Sequence, residues 1–239
     1  MACRIAHPEA SNHERTGMEP LEAEVDALTL VCLGSFAPGV VQPAWLARHD
    51  LIPAAEADAT ELIVVSNEFT QFRTEWFTIE VLPERLQVHS ALSAYFAPLA
   101  DLVSELLRVL PSATVDAIGI NHHGHFRLRD SEQYNRLGHR LAPKTMWNDL
   151  VKQPGMRKLV IQGERTDGNK GHILLTVEPS QAVQNGVFLH SNDHYSIPSG
   201  NEPSAEFAAD LIAENRRQSL ERSQDFFRRV IEFAREDQP

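Results

Sequence analysis

Two histidine-bearing stretches hold the side chains best suited to chemistry. The first, VDAIGINHHGHFRLRD, runs from Val115 to Asp130. Read as a strand, it sets Ile118, Ile120, Phe126 and Leu128 on one face and Asn121, His123, His125 and Arg127 on the other, because successive side chains alternate. The second surrounds a strand end, where His190 and His194 stand among Ser191, Asn192, Asp193 and Tyr195. If the two strands are neighbours, His123, His125 and His194 with Asp193 offer three or four ligands for zinc or iron. Asn121 or Asp193 would then orient the neutral imidazoles. Against a metal, the spacing matches no established zinc pattern, HExxH is absent, and Gly124 is placed to put a bulge between the histidines. The preferred reading is therefore a polar face comprising Asn121, His123, His125, Arg127, Asp193 and His194. It assigns no metal, no cofactor and no catalytic residue.

Other chemistries find less. There is no G-x-S-x-G elbow, no Walker A loop and no strand-preceded G-x-G-x-x-G. Cys32 sits where a small buried apolar residue serves equally well. Glu61, Glu80, Asp116 and Lys158 show no spacing that gathers them on a magnesium ion. Glu164 and Asp167 bracket a turn, and turn chemistry accounts for the aspartate. Arg127, Arg129, Arg136, His139, Arg140 and Lys144 concentrate positive charge, which Asp130 and Glu132 balance as on an ordinary exposed helix face.

The 239 residues are 42% hydrophobic and 23% charged, a composition that folds. A formal charge of −11 argues against a general nucleic-acid binder. No apolar run is long enough for a membrane span. The N-terminal stretch, interrupted by Arg4, His7, Glu9 and Arg15, lacks the apolar core of a secretory signal, so the cytoplasm is the expected compartment.

The elements that would position these residues follow from periodicity. Residues 1–24 are polar and read as a flexible leader. A strand covers Val25–Phe36, with Leu28, Leu30, Cys32 and Phe36 on one side. Pro43 and Pro53 open short helices, since proline is tolerated at a first helical position. Strands are predicted over Glu61–Val65, Trp76–Val81 and Leu86–Ser90, then a helix over Tyr95–Leu110 with apolar residues at helical spacing. After the strand from Val115, Asp130 caps a helix SEQYNRLGHRL, and TMWNDLVKQ is a second helix closed by Pro154-Gly155. Strands Arg157–Glu164, His172–Val177 and Gly186–Ser191 follow, then a loop from Asn192 to Asn201. A long C-terminal helix, with Pro203 in its first turn, runs to about Ala234.

Both halves, 25–111 and 112–239, thus read strand, helical insert, three strands, helix. WFTIEVLPERLQVHS in the first is echoed by HILLTVEPSQAVQNGVFLHS in the second. The expected fold class is α+β: one domain over 25–239, with a curved antiparallel sheet covered by helices and an internal duplication. The runs AIGINHHGHF, HRLAPKTMW and EPS…NDHY resemble a sporadically distributed group of bacterial proteins of about this size, over roughly Leu28 to Tyr195. The resemblance implies a bacterial cytoplasmic protein and brings no activity, cofactor or catalytic residue with it.

The functional expectation is a non-enzymatic protein that acts through a protein partner or as a homo-oligomer. Phe226, Phe227, Val230 and Ile231 crowd the end of the last helix and are its candidate partner-binding face. The polar stretch AENRRQS before them is expected to span solvent. One alternative is a metal-dependent hydrolase or oxidoreductase centred on His123 and His125. A second is small-ligand binding between the two halves.

Overall fold

Alternating side chains along the central segments form a single open antiparallel sheet, and the long amphipathic helices cover one of its faces. The computed structural model describes residues 22–198 and 204–236. The leader over residues 1–24 therefore lies outside the described residues up to 21, as does Pro203. The strands are β1 (Val25–Ser35), β2 (Glu61–Val65), β3 (Thr70–Arg73), β4 (Thr78–Leu82), β5 (Arg85–Ser90), β6 (Thr114–Arg127), β7 (Leu159–Glu164), β8 (Gly171–Pro179) and β9 (Gly186–Ser196). The helices are α1 (Pro43–Arg48), α2 (Ala54–Ala59), α3 (Phe96–Val109), α4 (Ser131–Leu141) and α5 (Ser204–Arg235). The 9-stranded sheet has the order β2-β3-β4-β5-β1-β6-β9-β8-β7, with every neighbouring pair antiparallel.

That order is pseudo-symmetric about its centre. β1 and β6 meet at the centre, and each is flanked by the last strand of its own half, β5 or β9, then by β4 or β8 and by β3 or β7. Ser90 lies opposite Leu28 as Ser191 lies opposite His122, and Leu28 and His122 are themselves a register pair. A pseudo-twofold axis therefore passes through the Leu28–His122 pair. α3 and α5, the closing helices of the two halves, pack side by side and are pinned by Arg108–Asp210 (2.7 Å) and Arg216–Asp101. The first insert carries an added edge strand, β2.

The core lies between the sheet and the helices. Leu28, Leu30, Ile79, Leu86, Val88, Ile118 and Ile120 meet Leu99, Val103, Leu106 and Ile212 in one cluster. A second cluster joins Phe126, Val187 and Leu189 to Leu137 of α4 and to Phe227 and Ile231 of α5. Each such side chain contributes about 1.5–3 kcal/mol by leaving water. At the start of α4, Asp130 accepts the Gln133 N–H (2.8 Å), while the Gln133 side chain accepts the Arg129 N–H (2.7 Å). Reciprocal bonds of this kind stop orphan donors from opposing helix formation.

Several expectations need correction. Thr70–Arg73 is a strand that TQFR, with one apolar residue, does not announce. TMWNDLVKQ forms turns from Thr145 to Leu150 and no helix. β6 runs without a bulge at Gly124, because the absent Cβ leaves room for the Phe126 ring, whose carbons lie 2.8–2.9 Å from where it would stand. The polar middle of α5 does not span solvent: Asn215, Ser219 and Ser223 are buried against the sheet. The face made of Phe226, Phe227, Val230 and Ile231 is occupied by the chain itself. Phe227 and Ile231 are 2% and 3% exposed, with Phe226 and Val230 packed against the same cluster. Amphipathic spacing is satisfied equally by a partner and by one's own sheet, and here the sheet reaches far enough to meet the helix end.

Candidate functional site

The face of the sheet turned away from the helices gathers the histidines. Register fixes the membership. On β6, Asn121, His123 and His125 point to this face, opposite Asn192, His190 and Phe188 of β9. Thr29 and Ala27 of β1 lie opposite Asn121 and His123 on the other side. His89 of β5 lies opposite Thr29, and His172 of β8 opposite His194. The alternation predicted for Asn121, His123, His125 and Arg127 is the one the strand adopts.

His123 is the centre of a ring cluster. Its ring lies 6.3 Å from His89, nearly parallel, and 6.3 Å from His190, edge-on. Phe188 closes the group at 5.5 Å from His123 and 4.9 Å from His125. His89 and His190 hold equivalent positions in the two halves, each preceding the buried serine of its strand. Each ring is steered by a neighbour. His89 Nδ1 is 3.0 Å from the Thr29 hydroxyl, His190 Nε2–H donates to Asn121 Oδ1 (3.2 Å), and His125 Nδ1 is 2.8 Å from the Ser180 hydroxyl. Burial lowers the proton affinity of His89, His125 and His190 and, helped by the neighbouring imidazoles, takes His123 down to about 4. Burial favours the neutral imidazoles, because an imidazolium in this setting would lose its hydration.

Three charge pairs flank this centre: Lys158 with Glu178 (2.7 Å), Arg85 with Glu80, and Arg127 with Glu24 (2.9 Å). Val25 and Leu33, 39% and 41% exposed, add apolar surface along β1. A shallow pocket of about 150 Å³ lies at the seam of the two halves, bordered by Val31, Leu33, Gly119, Asn121, Asn192 and His194. Asn192 Oδ1 has no hydrogen-bond partner among the described residues.

The six residues of the predicted polar site do not form one constellation. Asn121, His123 and His125 stay together, and Arg127 caps their row with its bidentate contact to Glu24. His194 shares the face but pairs with Gly119, four residues along β6 from His123, or about 13 Å at the rise of a strand. Asp193 faces the core at 0% exposure. The reason is that β9 continues through Ser196, so Asp193 and His194 alternate within a strand instead of sharing a loop. Among the described residues no group of three or more His, Cys, Asp or Glu side chains is arranged to hold a metal ion. His89 was missed. Its signal was the echo of VHS in LHS, which makes it the first-half counterpart of His190.

Under the sheet a separate polar network holds α5. Arg222 pairs with Asp193 and, at 3.4 Å, with Asp167. Arg165 pairs with Asp167 and lies 3.6 Å over the Tyr195 ring. Burial pushes the Asp193 carboxyl up, against the pull of Arg222 and Arg165. His122 also belongs to this side: it is 3% exposed, its Nε2 lies 2.7 Å from Asp26, and its Nδ1 meets the Ser223 hydroxyl. These groups explain the polar residues in the middle of α5.

No family model matches the chain, and no curated protein matches it. Among solved structures it is similar to the rolling circle replication initiator protein from Geobacillus stearothermophilus, with 12% identity over 80% of this chain and 78% of that chain and a TM-score of 0.31. A likeness of that size carries no argument about function. Among the described residues no helix is long and apolar enough to cross a membrane.

Proposed function

We propose that the protein is a non-enzymatic binding protein whose helix-free sheet face receives a protein partner. One observation carries this reading: the centre of that face is neutral, half-buried and aromatic, built from His89, His123, His125, His190 and Phe188, with charge pairs at its margins. Desolvated imidazole and phenyl rings flanked by amide and hydroxyl groups suit an apolar or aromatic segment that also makes hydrogen bonds. The paired charges and the chain's −11 balance disfavour a polyanion.

The test is co-purification from the native host. His123→Glu places a charge in the middle of the face, and Gln218→Glu adds the same charge on the exposed side of α5. A protein that co-purifies in defined stoichiometry with the wild type and with Gln218→Glu, and is lost with folded His123→Glu, supports the reading. Retention of the same protein by His123→Glu contradicts it.

A second reading, a small ligand at the junction of the halves, is favoured by the pocket beside Gly119, where Asn192 Oδ1 is unpaired. A ligand there would raise the melting temperature of the wild type and not of Asn192→Leu.

A further inference from the structure

The two ends of the sheet are equivalent in architecture and different in how they are finished. β2 and β7 are its edge strands, and both expose apolar side chains: Leu62 60% and Ile63 46% on β2, Val160 44% and Ile161 54% on β7. An unpaired edge offers a row of backbone donors and acceptors to any other strand, and folded proteins blunt such edges with bulges or charges. β2 is blunted, because its register with β3 shifts between Leu62 and Val64. β7 is not: it pairs with β8 in unbroken register from Leu159 to Glu164, with no charge between its ends. No strand pairs with its outer side among the described residues. The stretch leading into β7 also exposes Met146 (68%), Trp147 (44%), Leu150 (73%) and Val151 (53%).

We infer that β7 is the dimerisation edge of the protein, pairing antiparallel with β7 of a second copy about Ile161. The charges select this occupant. Lys158 stands three residues before Ile161 and Glu164 three residues after it, and alternation puts both on the same face of the strand. In an antiparallel pair centred on Ile161, Lys158 of each copy lies opposite the partner's Glu164, and the two Ile161 side chains meet at the twofold axis. A parallel pair, or a strand without this charge pattern, gains neither match. Lys158 keeps 55% of its side chain exposed while it contacts Glu178, so it is accessible to a second carboxylate. The contact is isologous and closes at two copies, so an open edge does not become a fibre. The two histidine faces would then lie on one continuous sheet.

This inference stands apart from the proposal for the histidine face, and its test reads mass instead of partner capture. Sedimentation equilibrium of the full chain should show a dimer. Ile161→Lys, at an exposed edge position, should weaken it at least about tenfold while its far-ultraviolet circular dichroism stays that of the folded wild type. Ile63→Lys on the blunted edge should leave it unchanged. Lys158→Glu and Glu164→Lys should each weaken self-association, and an equimolar mixture of the two variants should restore the dimer, since each then carries the complement of the other. A wild type that stays monomeric at about 100 µM, far above the dissociation constant expected for a specific edge contact, would overturn the inference. So would a dimer that survives Ile161→Lys, that is lost with Ile63→Lys, or that the mixture fails to restore.

Discussion

Asp193 and His194 are adjacent in the chain and stand on opposite faces of the sheet. Asp193 is fully buried beneath it, paired with Arg222 of α5, and His194 lies on the helix-free side, its ring stacked 4.5 Å from His172. The strand that separates them divides the protein's polar chemistry into two parts. The groups beneath the sheet hold α5 in place, and the groups above it lie on the face that no helix covers.

Substitutions should obey that division. Asp193→Ala leaves Arg222 and the buried Arg165 short of a carboxylate, and breaking a buried pair from one side costs about 3–5 kcal/mol. His194→Ala should change stability by less than about 1 kcal/mol. Urea unfolding of the two variants checks the difference, and equal losses would contradict the assignment of faces.

The last turns of α5 should be indispensable to the fold. Phe227 fills the second core cluster between His122 and Phe126, so Phe227→Ala should cost about 3–5 kcal/mol. A chain truncated after Ser219 should fail to fold, and its far-ultraviolet circular dichroism should collapse. A stable truncation that merely loses an oligomer would return the helix end to the role of partner face.

The neutral histidines predict an acid sensitivity with a definite sign. Their folded affinities are lowered by burial, so the unfolded chain binds more protons than the folded one below the ordinary histidine value of 6.5. The stability they allow is fully present above 6.5 and is lost as pH falls through that window toward His123's value of about 4. The urea midpoint should therefore drop between pH 6.5 and 4, and His123→Gln should drop less. Identical slopes would show that the cluster is not linked to folding.

Much of this architecture was legible from pattern. Alternation placed Asn121, His123 and His125 on one face of β6, and the repeated order of elements anticipated the sheet's pseudo-twofold arrangement. What stayed hidden depended on neighbours distant in sequence. His89 joins the cluster through β5 and β1, and no local signal reports that Thr29 lies between it and Asn121. Polar residues misled twice: NDHY looked like a loop because its buried members are an aspartate and a tyrosine, and AENRRQS looked solvated because its buried members, Asn215 and Ser219, are polar and meet Asn169 and Asp193. Charge buried against charge leaves no hydrophobic periodicity to read.

The His123–His125 row should bind no stoichiometric transition metal, since His194 lies about 13 Å along the sheet and Asp193 lies beneath it. Metal analysis of protein purified without an affinity tag checks this. One equivalent of zinc or iron, lost with His125→Ala, would restore the metalloenzyme reading.

The proposal for the helix-free face is tested most directly by photo-cross-linking in the native host. A benzophenone side chain would replace Phe188, at the centre of the face, and in a control Gln218, on the exposed side of α5. The account predicts one prominent protein adduct from position 188, absent from position 218 and lost when His123→Glu is added. No protein adduct at 188, or the same adducts from both positions, would contradict it.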